Sequence, residues 1–259
     1  MTRKELAAFW DEQLDRWLQG KALDPILREW KAAWAGEVDE WAFPEPWMGP
    51  LLDKPRIVIG GLNPGRAHAE LQSRRGRSAR RVQEVGFTAW AAPRPFNISG
   101  AEWQEAGFGR IRLDEDRLTF ARSFLRDPSV SFGSVLTLEL YPWHSPGLGR
   151  HPIRVPPHIL DEFILQPLSE LADPRVPRVM FRRAWEVALG RLGDRARVAK
   201  TITGFAGRTR RADLWSVNQR GRFLVELHGQ YDPLPHGSDL EVMRRAWFGV
   251  STDRRRRTA

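Results

Sequence analysis

The sequence contains no cysteine, and this absence removes several classes of chemistry at once. Without thiolates the chain forms no disulfides and has no sulfur ligands for zinc, no cysteine nucleophile and no cysteine-held iron–sulfur cluster. Long apolar runs are also missing, both in residues 1–10 and in the rest of the 259-residue chain. We therefore expect a soluble, cytoplasmic protein without a membrane partner.

The motifs of several enzyme classes are missing as well. The sequence has no glycine-rich phosphate loop with its lysine and no Gly-x-Ser-x-Gly elbow. His144, His151 and His158 recur at seven-residue spacing, but no carboxylates accompany them in an arrangement of metal ligands. These absences lead us to expect neither a metal nor another cofactor.

The chain is rich in positively charged and in hydrophobic residues. Its 41 Lys and Arg against 32 Asp and Glu give a formal net charge of +9, and the pI is near 10.8. Such a charge suits a polyanionic partner such as nucleic acid, although a basic protein from an arginine-rich proteome would share it. A hydrophobic fraction of 41% is enough to bury one sizeable core, or two small ones.

The apolar pattern predicts one α/β domain preceded by helices. Apolar residues recur at helical spacing over residues 2–19 and 25–42, and prolines then break the chain before the first strand. We predict strands at 56–61, 135–140, 178–181, 197–202 and 222–227, and helices at 115–126, 157–172, 183–192 and 239–247. This alternation predicts a three-layer α/β/α fold around a central, mainly parallel sheet. We divide the chain into an N-terminal helical extension packed on the core (1–43), the α/β domain (44–249) and a basic, disordered tail (250–259).

The most informative segment covers residues 56–65, with the sequence Arg-Ile-Val-Ile-Gly-Gly-Leu-Asn-Pro-Gly. Its β-branched apolar run predicts a buried strand, and Gly-Leu-Asn-Pro-Gly predicts a sharp exit with exposed backbone amides. Asn63 is then expected at the carboxyl end of that strand, where open α/β sheets place their ligands. Asn-Pro-Gly is also common turn chemistry, so an ordinary turn is the alternative.

A second segment, residues 134–144, ends a predicted strand at Glu139 and continues through Tyr141 and Trp143. An ionised carboxylate only accepts hydrogen bonds, so at a ligand site Glu139 favours a base with an exocyclic amine, such as cytosine. A protonated Glu139 would instead serve N3 or O4 of a pyrimidine. The alternative is a strand-end glutamate paired with one of the many arginines. Tyr141 and Trp143 are expected in the pocket wall.

Two histidines toward the carboxyl end are candidates for a third part of the site. Residues 236–240 read His-Gly-Ser-Asp-Leu, and His228 directly follows the last predicted strand, where a strand-end ligand is expected. For either histidine, the alternative is a hydrogen-bonded loop residue.

In their order along the chain, these segments resemble the motifs of the uracil-DNA glycosylase superfamily over roughly residues 44–248. Residues 61–65 are similar to the Gly-Ile/Met-Asn-Pro-Gly of its mismatch-specific and single-strand-selective branches. Residues 236–240 resemble its His-Pro-Ser-Pro-Leu motif, without the two prolines. The strand ending at Glu139 matches one that ends in Asn-Leu-Cys-Pro in the single-strand-selective enzymes, whose Asn reads the extruded base. The missing cysteines exclude the cluster-bearing branches.

The resemblance implies roles for individual residues. Asn63 would orient the attacking water, and His236, or else His228, would stabilise the charge on the departing base. Ser238 would touch a flanking phosphate, and Leu240 would enter the base stack. Further contacts are expected to the base from Gly61 and Leu62 and to the DNA backbone from Pro64 and Gly65.

Side chains after the Asn63 segment complete the predicted site. Phe87 and Trp90 are candidates to stack on the base, and core packing is the alternative for both. Arg74, Arg75 and Arg77 belong to a cluster dense enough to bind phosphates or the substituents of a modified base. A solvated helix face is the alternative for the arginines.

We therefore expect a monofunctional DNA glycosylase that flips out a cytosine-type base, hydrolyses its N-glycosidic bond and leaves an abasic site. The expected base is a modified cytosine, such as one of hypermodified phage DNA, because some bacterial relatives in the superfamily defend against phage in this way. Repair of uracil or another deaminated base is one alternative. A catalytically silent nucleic-acid-binding module of the same fold is another. DNA is the expected partner, and we expect a monomer.

Overall fold

The structure, a computed structural model, describes residues 1–92, 105–107, 112–147, 152–171, 173, 175–203, 211–227 and 234–249. Ten α-helices lie in these ranges, and a π-helical turn, Asp161–Leu165, joins two of them. They are α1 (Arg3–Leu18), α2 (Pro25–Lys31), α3 (Ala69–Gln72), α4 (Arg77–Val85), α5 (Phe87–Ala91), α6 (Arg112–Leu125), α7 (Pro157–Leu160), α8 (Gln166–Ser169), α9 (Arg183–Gly190) and α10 (Gly237–Phe248). Of these described helices, none is long and apolar enough to cross a membrane.

The described strands form one seven-stranded mixed sheet in the order β1-β3-β2-β4-β7-β6-β5. The strands are β1 (Trp47–Met48), β2 (Ile57–Gly61), β3 (Val135–Glu139), β4 (Arg178–Phe181), β5 (Ala196–Thr203), β6 (Arg211–Val217) and β7 (Gly221–Leu227). β3, β2, β4 and β7 are parallel, whereas β1, β6 and β5 join by antiparallel pairing. The α/β class is thus confirmed, but a mainly parallel sheet is not.

Several features of the chain differ from the sequence prediction, including the helices α3, α4 and α5, which were not predicted. The helix predicted at 25–42 ends at Lys31, and Trp34 then turns its ring into the core over Gly36. A Cβ on Gly36 would lie 2.0 Å from that ring, so this close approach requires a residue without a side chain. β1 and β6 were not predicted, and β6 forms a hairpin with β7 through a turn at 218–220.

Two apolar clusters lie on opposite faces of the sheet. Successive residues of a strand point to opposite faces, and accordingly Val58 of β2 belongs to one cluster while Ile57 and Ile59 belong to the other. The first cluster includes buried residues of α1 and α2, among them Trp10 and Trp30. The N-terminal helices are therefore part of the main core. The boundaries proposed at residues 43/44 stay predictions, and residues 250–259 lie outside the described residues.

The strand order places the carboxyl ends of the parallel strands along one edge of the sheet. The connection from β2 leads to β3 on one side, and the connection from β4 leads to β5, beyond β7, on the other. The carboxyl ends of β2 and β4 therefore border a topological switch point, the position where open α/β sheets bind ligands. Asn63 follows β2 at this edge, and Glu139 is the last residue of the neighbouring β3.

Candidate active site

Asn63 is buried, with 8% of its surface exposed, in the loop that follows β2. Its Nδ2 donates to Oγ of Ser145 at 2.7 Å and to the carbonyl oxygen of Trp143 at 3.4 Å. Because a carbonyl oxygen only accepts, these contacts fix the nitrogen of the amide toward the loop after β3. Within the described residues no donor contacts Oδ1. The Asn63 side chain therefore presents one acceptor for a ligand or a water molecule.

Glu139 lies beside Gly61 in the parallel pairing of β2 and β3, and only 6% of it is exposed. Its Oε1 accepts a hydrogen bond from Nη2 of Arg117 at 2.8 Å. The structure thus shows the alternative interpretation of Glu139, in which this glutamate pairs with an arginine. Its second oxygen, Oε2, is buried and has no hydrogen-bond partner among the described residues. Glu139 is therefore fixed by one oxygen, and its other oxygen is buried and unpartnered beside Gly61.

Gly61 makes room for this ion pair at the end of β2. A Cβ on Gly61 would lie 2.2 Å from Oε2 of Glu139 and 2.4 Å from Nη2 of Arg117. On the other side, Nε1 of Trp185 donates to the Gly61 carbonyl at 2.8 Å. The glycine predicted to contact the base is thus the position that lets the charged pair approach the strand end, whereas Gly60 makes room for the Trp185 ring.

Further polar groups surround the pair. His144, which follows β3, lies with Nδ1 3.2 Å from the carbonyl oxygen of Gly65 and with Nε2 3.3 Å from Oε1 of Glu45. The same Glu45 oxygen accepts from Nε2 of Gln72 at 3.3 Å. A backbone hydrogen bond of 2.9 Å from Ser145 to Gly65 joins the loops that follow β2 and β3. These two loops therefore form one hydrogen-bonded unit.

Asp114 and Arg117, both on α6, were not singled out by sequence reasoning. Burial raises the pKa of Asp114 to about 7, with smaller contributions from Glu45 and Glu139 and against the opposing effect of Arg117. Burial also raises the pKa of Glu139, again against the effect of Arg117. For Arg117, burial lowers the pKa, but Glu139 and Asp114 outweigh burial and the pKa is raised. Two carboxyl groups, those of Glu139 and Asp114, thus act on one buried guanidinium.

Tyr141 and Trp143 lie in the first apolar cluster, with their ring centroids 5.0 Å apart. The Tyr141 hydroxyl donates to the carbonyl oxygen of Lys31 at 2.8 Å. Both side chains therefore pack toward α2, while the backbone of Trp143 holds Asn63. Their predicted place in a pocket wall stays a prediction.

The two predicted stacking residues are also in the core. Phe87 and Trp90 are buried, with ring centroids 4.9 Å from Trp47 and 5.5 Å from Phe43, respectively. Core packing, the alternative for both, is what the structure shows. Stacking on a base would require these rings to leave their present contacts.

Within the described residues, no hydrogen bond or ion pair connects the third segment, residues 236–240, to Asn63 or Glu139. His236 is exposed at the N-cap of α10, where its side chain makes no capping hydrogen bond, and Ser238 is also exposed. Leu240 is 7% exposed and packs in the second apolar cluster, so a wedge role would require it to leave the core. His228 lies outside the described residues. The roles of these four residues stay predictions.

The arginines beyond the Asn63 loop border a groove of about 460 Å³. Arg74 lies over the ring of Trp17 at 5.1 Å, and Arg75 lines the same groove together with Trp41, which is 44% exposed. Arg77 is exposed on α4, with its Nη1 3.4 Å from Oε2 of Glu105. The groove is connected to the site through the chain, since Gln72, which donates to Glu45, directly precedes Ser73 and Arg74.

A larger groove, of about 840 Å³, lies at the opposite end of the sheet. Arg56 and Pro177, which precede β2 and β4, line it together with Lys54 and Arg175. It is therefore remote from Asn63 and Glu139, which follow β2 and end β3. We place the candidate site by its buried polar groups rather than by cavity volume.

The described residues contain no group of three or more His, Cys, Asp and Glu side chains placed to hold a metal ion. Comparison of the chain with protein-family models, with curated proteins and with solved structures finds no match. The function of the protein is therefore inferred from the chemistry of the site itself.

Proposed function

We propose that the protein is a monofunctional DNA glycosylase, related to the uracil-DNA glycosylase superfamily, that releases a cytosine-type base and leaves an abasic site. The observation that carries the proposal is the buried, unpartnered Oε2 of Glu139 at the strand end next to the Asn63 loop. A buried acceptor without a donor is energetically costly, and a bound donor would remove this cost.

Asn63 supports hydrolysis of an N-glycosidic bond. Cleavage passes through an oxocarbenium-like sugar, so a correctly placed water needs little activation. Ser145 and Trp143 hold the amide nitrogen of Asn63, and Oδ1 is the acceptor that would orient this water. An amide is too weak a base to deprotonate water in the ground state, so its contribution is positioning.

Glu139 supports the choice of base. An exocyclic amine such as N4 of cytosine would donate to Oε2, whereas uracil presents the acceptor O4 at that position. Arg117 would keep Oε1 occupied and so direct the free oxygen toward the base. A modified cytosine, such as one found in hypermodified phage DNA, is the proposed substrate.

The remaining parts of the proposal concern the whole protein. The apolar clusters on opposite faces of the sheet support a three-layer α/β/α arrangement like that of the superfamily. The net charge of +9 and the exposed arginines near the site support DNA as the partner. We propose that the enzyme acts in the cytoplasm as a monomer, without a metal or another cofactor.

The proposal is tested with DNAs that contain cytosine, hydroxymethylcytosine, glucosylated hydroxymethylcytosine or uracil, followed by detection of alkali-labile abasic sites. We expect Asn63→Ala to slow base release by roughly 100-fold or more, because the water loses its acceptor. Asn218→Ala, which removes an exposed asparagine in the β6–β7 turn, is the matched control and should leave the rate unchanged.

Glu139→Gln tests the choice of base in the same assay. An amide both donates and accepts, so the release of uracil relative to cytosine derivatives should rise. A wild-type enzyme that releases uracil as fast as every cytosine derivative would contradict the proposed substrate. Tight DNA binding without any base release would instead identify the protein as a silent binding module.

A further inference from the structure

We propose that Asp114 is the general acid of this site and donates a proton to N3 of the departing cytosine-type base. This inference rests on the proposed function and adds a residue to it. The structural basis is the N-terminal part of α6, where Arg117, one turn after Asp114, donates to Glu139 at the carboxyl end of β3.

The first turn of α6 has an unusual pattern of exposure. Leu113 is exposed, and so are Glu115 and Asp116, whereas Asp114 is partly buried. An amphipathic helix would be expected to show the reverse, with the leucine inside and the aspartate in solvent. Local patterns that contradict the general rule occur preferentially at functional sites.

Asp114 lies on the same side of α6 as Arg117, because residues three apart are neighbours on a helix surface. Arg117 in turn donates to Glu139, so Asp114 belongs to the cluster that contains the free Oε2. The charged groups that act on Asp114 are Arg117 from its own helix, Glu45 from the segment before β1 and Glu139 from β3. His144 acts on Glu139 from the loop after β3.

A carboxylate beside a protonated carboxyl matches the edge of cytosine. That edge presents a donor at N4 and an acceptor at N3, so it needs an acceptor next to a donor. Oε2 of Glu139 would be the acceptor for N4, and the hydroxyl of a protonated Asp114 would be the donor for N3. Uracil presents O4 and N3–H, which is the opposite order. Glu139 and Asp114 would therefore both favour cytosine over uracil.

The proton balance of the reaction also calls for an acid. The C1′–N1 bond breaks and its electron pair stays on N1 of the base. The Asp114 proton moves to N3, so that cytosine departs as a neutral tautomer and Asp114 becomes a carboxylate. The oxygen of the attacking water forms the new bond to C1′, and the water releases one proton to solvent. Asp114 then takes up one proton from solvent, so the reaction consumes no net proton.

The electrostatics of the cluster allow Asp114 to hold this proton near neutral pH. Burial and the neighbouring carboxylates raise its pKa to about 7. Asp114 is therefore protonated below about pH 7 and loses its proton above it. Base release should accordingly fall as the pH rises through about 7.

The test measures single-turnover release of cytosine-type bases by wild type and Asp114→Asn. We expect the variant to be slower by roughly 100-fold to 10,000-fold and to lose the decline above pH 7, because an amide donates a hydrogen bond but no proton. DNA affinity should change by less than a few-fold. Asp116→Asn, an exposed aspartate in the same turn, is the matched control and should retain the wild-type rate and pH profile.

A better leaving group provides a second readout. A 5-fluorinated cytosine departs more readily and needs less protonation, so its advantage over the unfluorinated base should be larger for Asp114→Asn than for wild type. If Asp114→Asn does not fold, Asp114→Glu is used, and a shift in the midpoint of its pH profile is expected.

The outcomes separate the two proposals. A wild-type protein that releases no base contradicts the proposed function itself. An active wild type whose Asp114→Asn variant keeps both the rate and the pH profile contradicts only the acid role. An unchanged pH midpoint for Asp114→Glu contradicts it in the same way.

Discussion

At the scale of single residues, the buried pair of Arg117 and Glu139 determines how the candidate site is built. Both side chains are buried, and a buried charge is tolerated only when a partner is present. Glu139 is a β3 residue, and Arg117 approaches it from α6, 22 positions earlier in the chain. The pair therefore fixes the position of α6, and with it Asp114, against the strand ends.

We predict that Arg117→Met destabilises the protein by about 3 to 5 kcal/mol, because it leaves Glu139 buried and unpaired. The double variant Arg117→Met/Glu139→Gln should recover most of that loss, since a neutral amide is less costly to bury. Urea unfolding of the two single variants and the double variant measures this coupling. Additive losses would show that the two side chains do not stabilise each other.

The sequence predicted two residues of the site, Asn63 and Glu139, and missed two others, Arg117 and Asp114. The two pairs differ in the kind of element that positions them. Asn63 and Glu139 were predicted together because each follows or ends an apolar strand, and the carboxyl ends of parallel strands meet at one edge. Arg117 falls in the helix predicted at 115–126 and Asp114 directly precedes it, but nothing in the local sequence marked either residue as part of the site. Their inward orientation depends on packing across the chain, which local periodicity does not encode.

At the scale of secondary-structure elements, the best predictions were those with the clearest pattern. β4 was predicted with its observed bounds, Arg178–Phe181, from a short apolar run. β6 contains Asp213, which is buried and bonded to Arg211, and this charge interrupts the strand pattern. An ion pair within the strand, extended by Glu186 of α9 on Arg211, thus accommodates a charge that the strand pattern does not indicate.

The N-terminal helical extension (1–43) offers a test of how the N-terminal helices contribute to stability. Trp10 of α1 is fully buried in the cluster that also contains Val58 of β2, whereas Trp41 is 44% exposed. We predict that Trp10→Ala lowers the free energy of unfolding by about 3 to 5 kcal/mol, because it leaves a large cavity.

Trp41→Ala is the matched control, and its effect on the free energy of unfolding should be within about 0.5 kcal/mol. Both values come from urea unfolding followed by circular dichroism. Equal effects of the two substitutions would mean that α1 does not share the core of the sheet, and residues 1–43 would then be an independent unit.

At the scale of the whole molecule, the two ends of the sheet present different surfaces. The carboxyl end has the buried polar cluster, and next to it lies the groove bordered by Arg74, Arg75 and Trp41. The amino end has the larger groove, where Asp53 and Asp173 lie among the cations. Arg175 there is already paired with Asp173. Glu40 also lines the carboxyl-end groove, but it is paired with Lys31. Cations free of such pairing are the better ligands for phosphates, which favours the carboxyl end as the surface for the proposed DNA partner.

This asymmetry predicts how DNA binding depends on salt. Replacing Arg74 and Arg75 by glutamine should weaken binding and reduce the slope of log affinity against log salt by roughly 1 to 2, one unit for each lost phosphate contact. The matched control replaces Lys54 and Arg175 by glutamine and removes the same charge from the opposite groove, so its slope should equal that of wild type. Titration of a fluorescent duplex at several salt concentrations measures both slopes. The reverse result would place DNA at the amino end, more than a strand length away from Asn63, and a glycosylase whose DNA lies there would not reach its base.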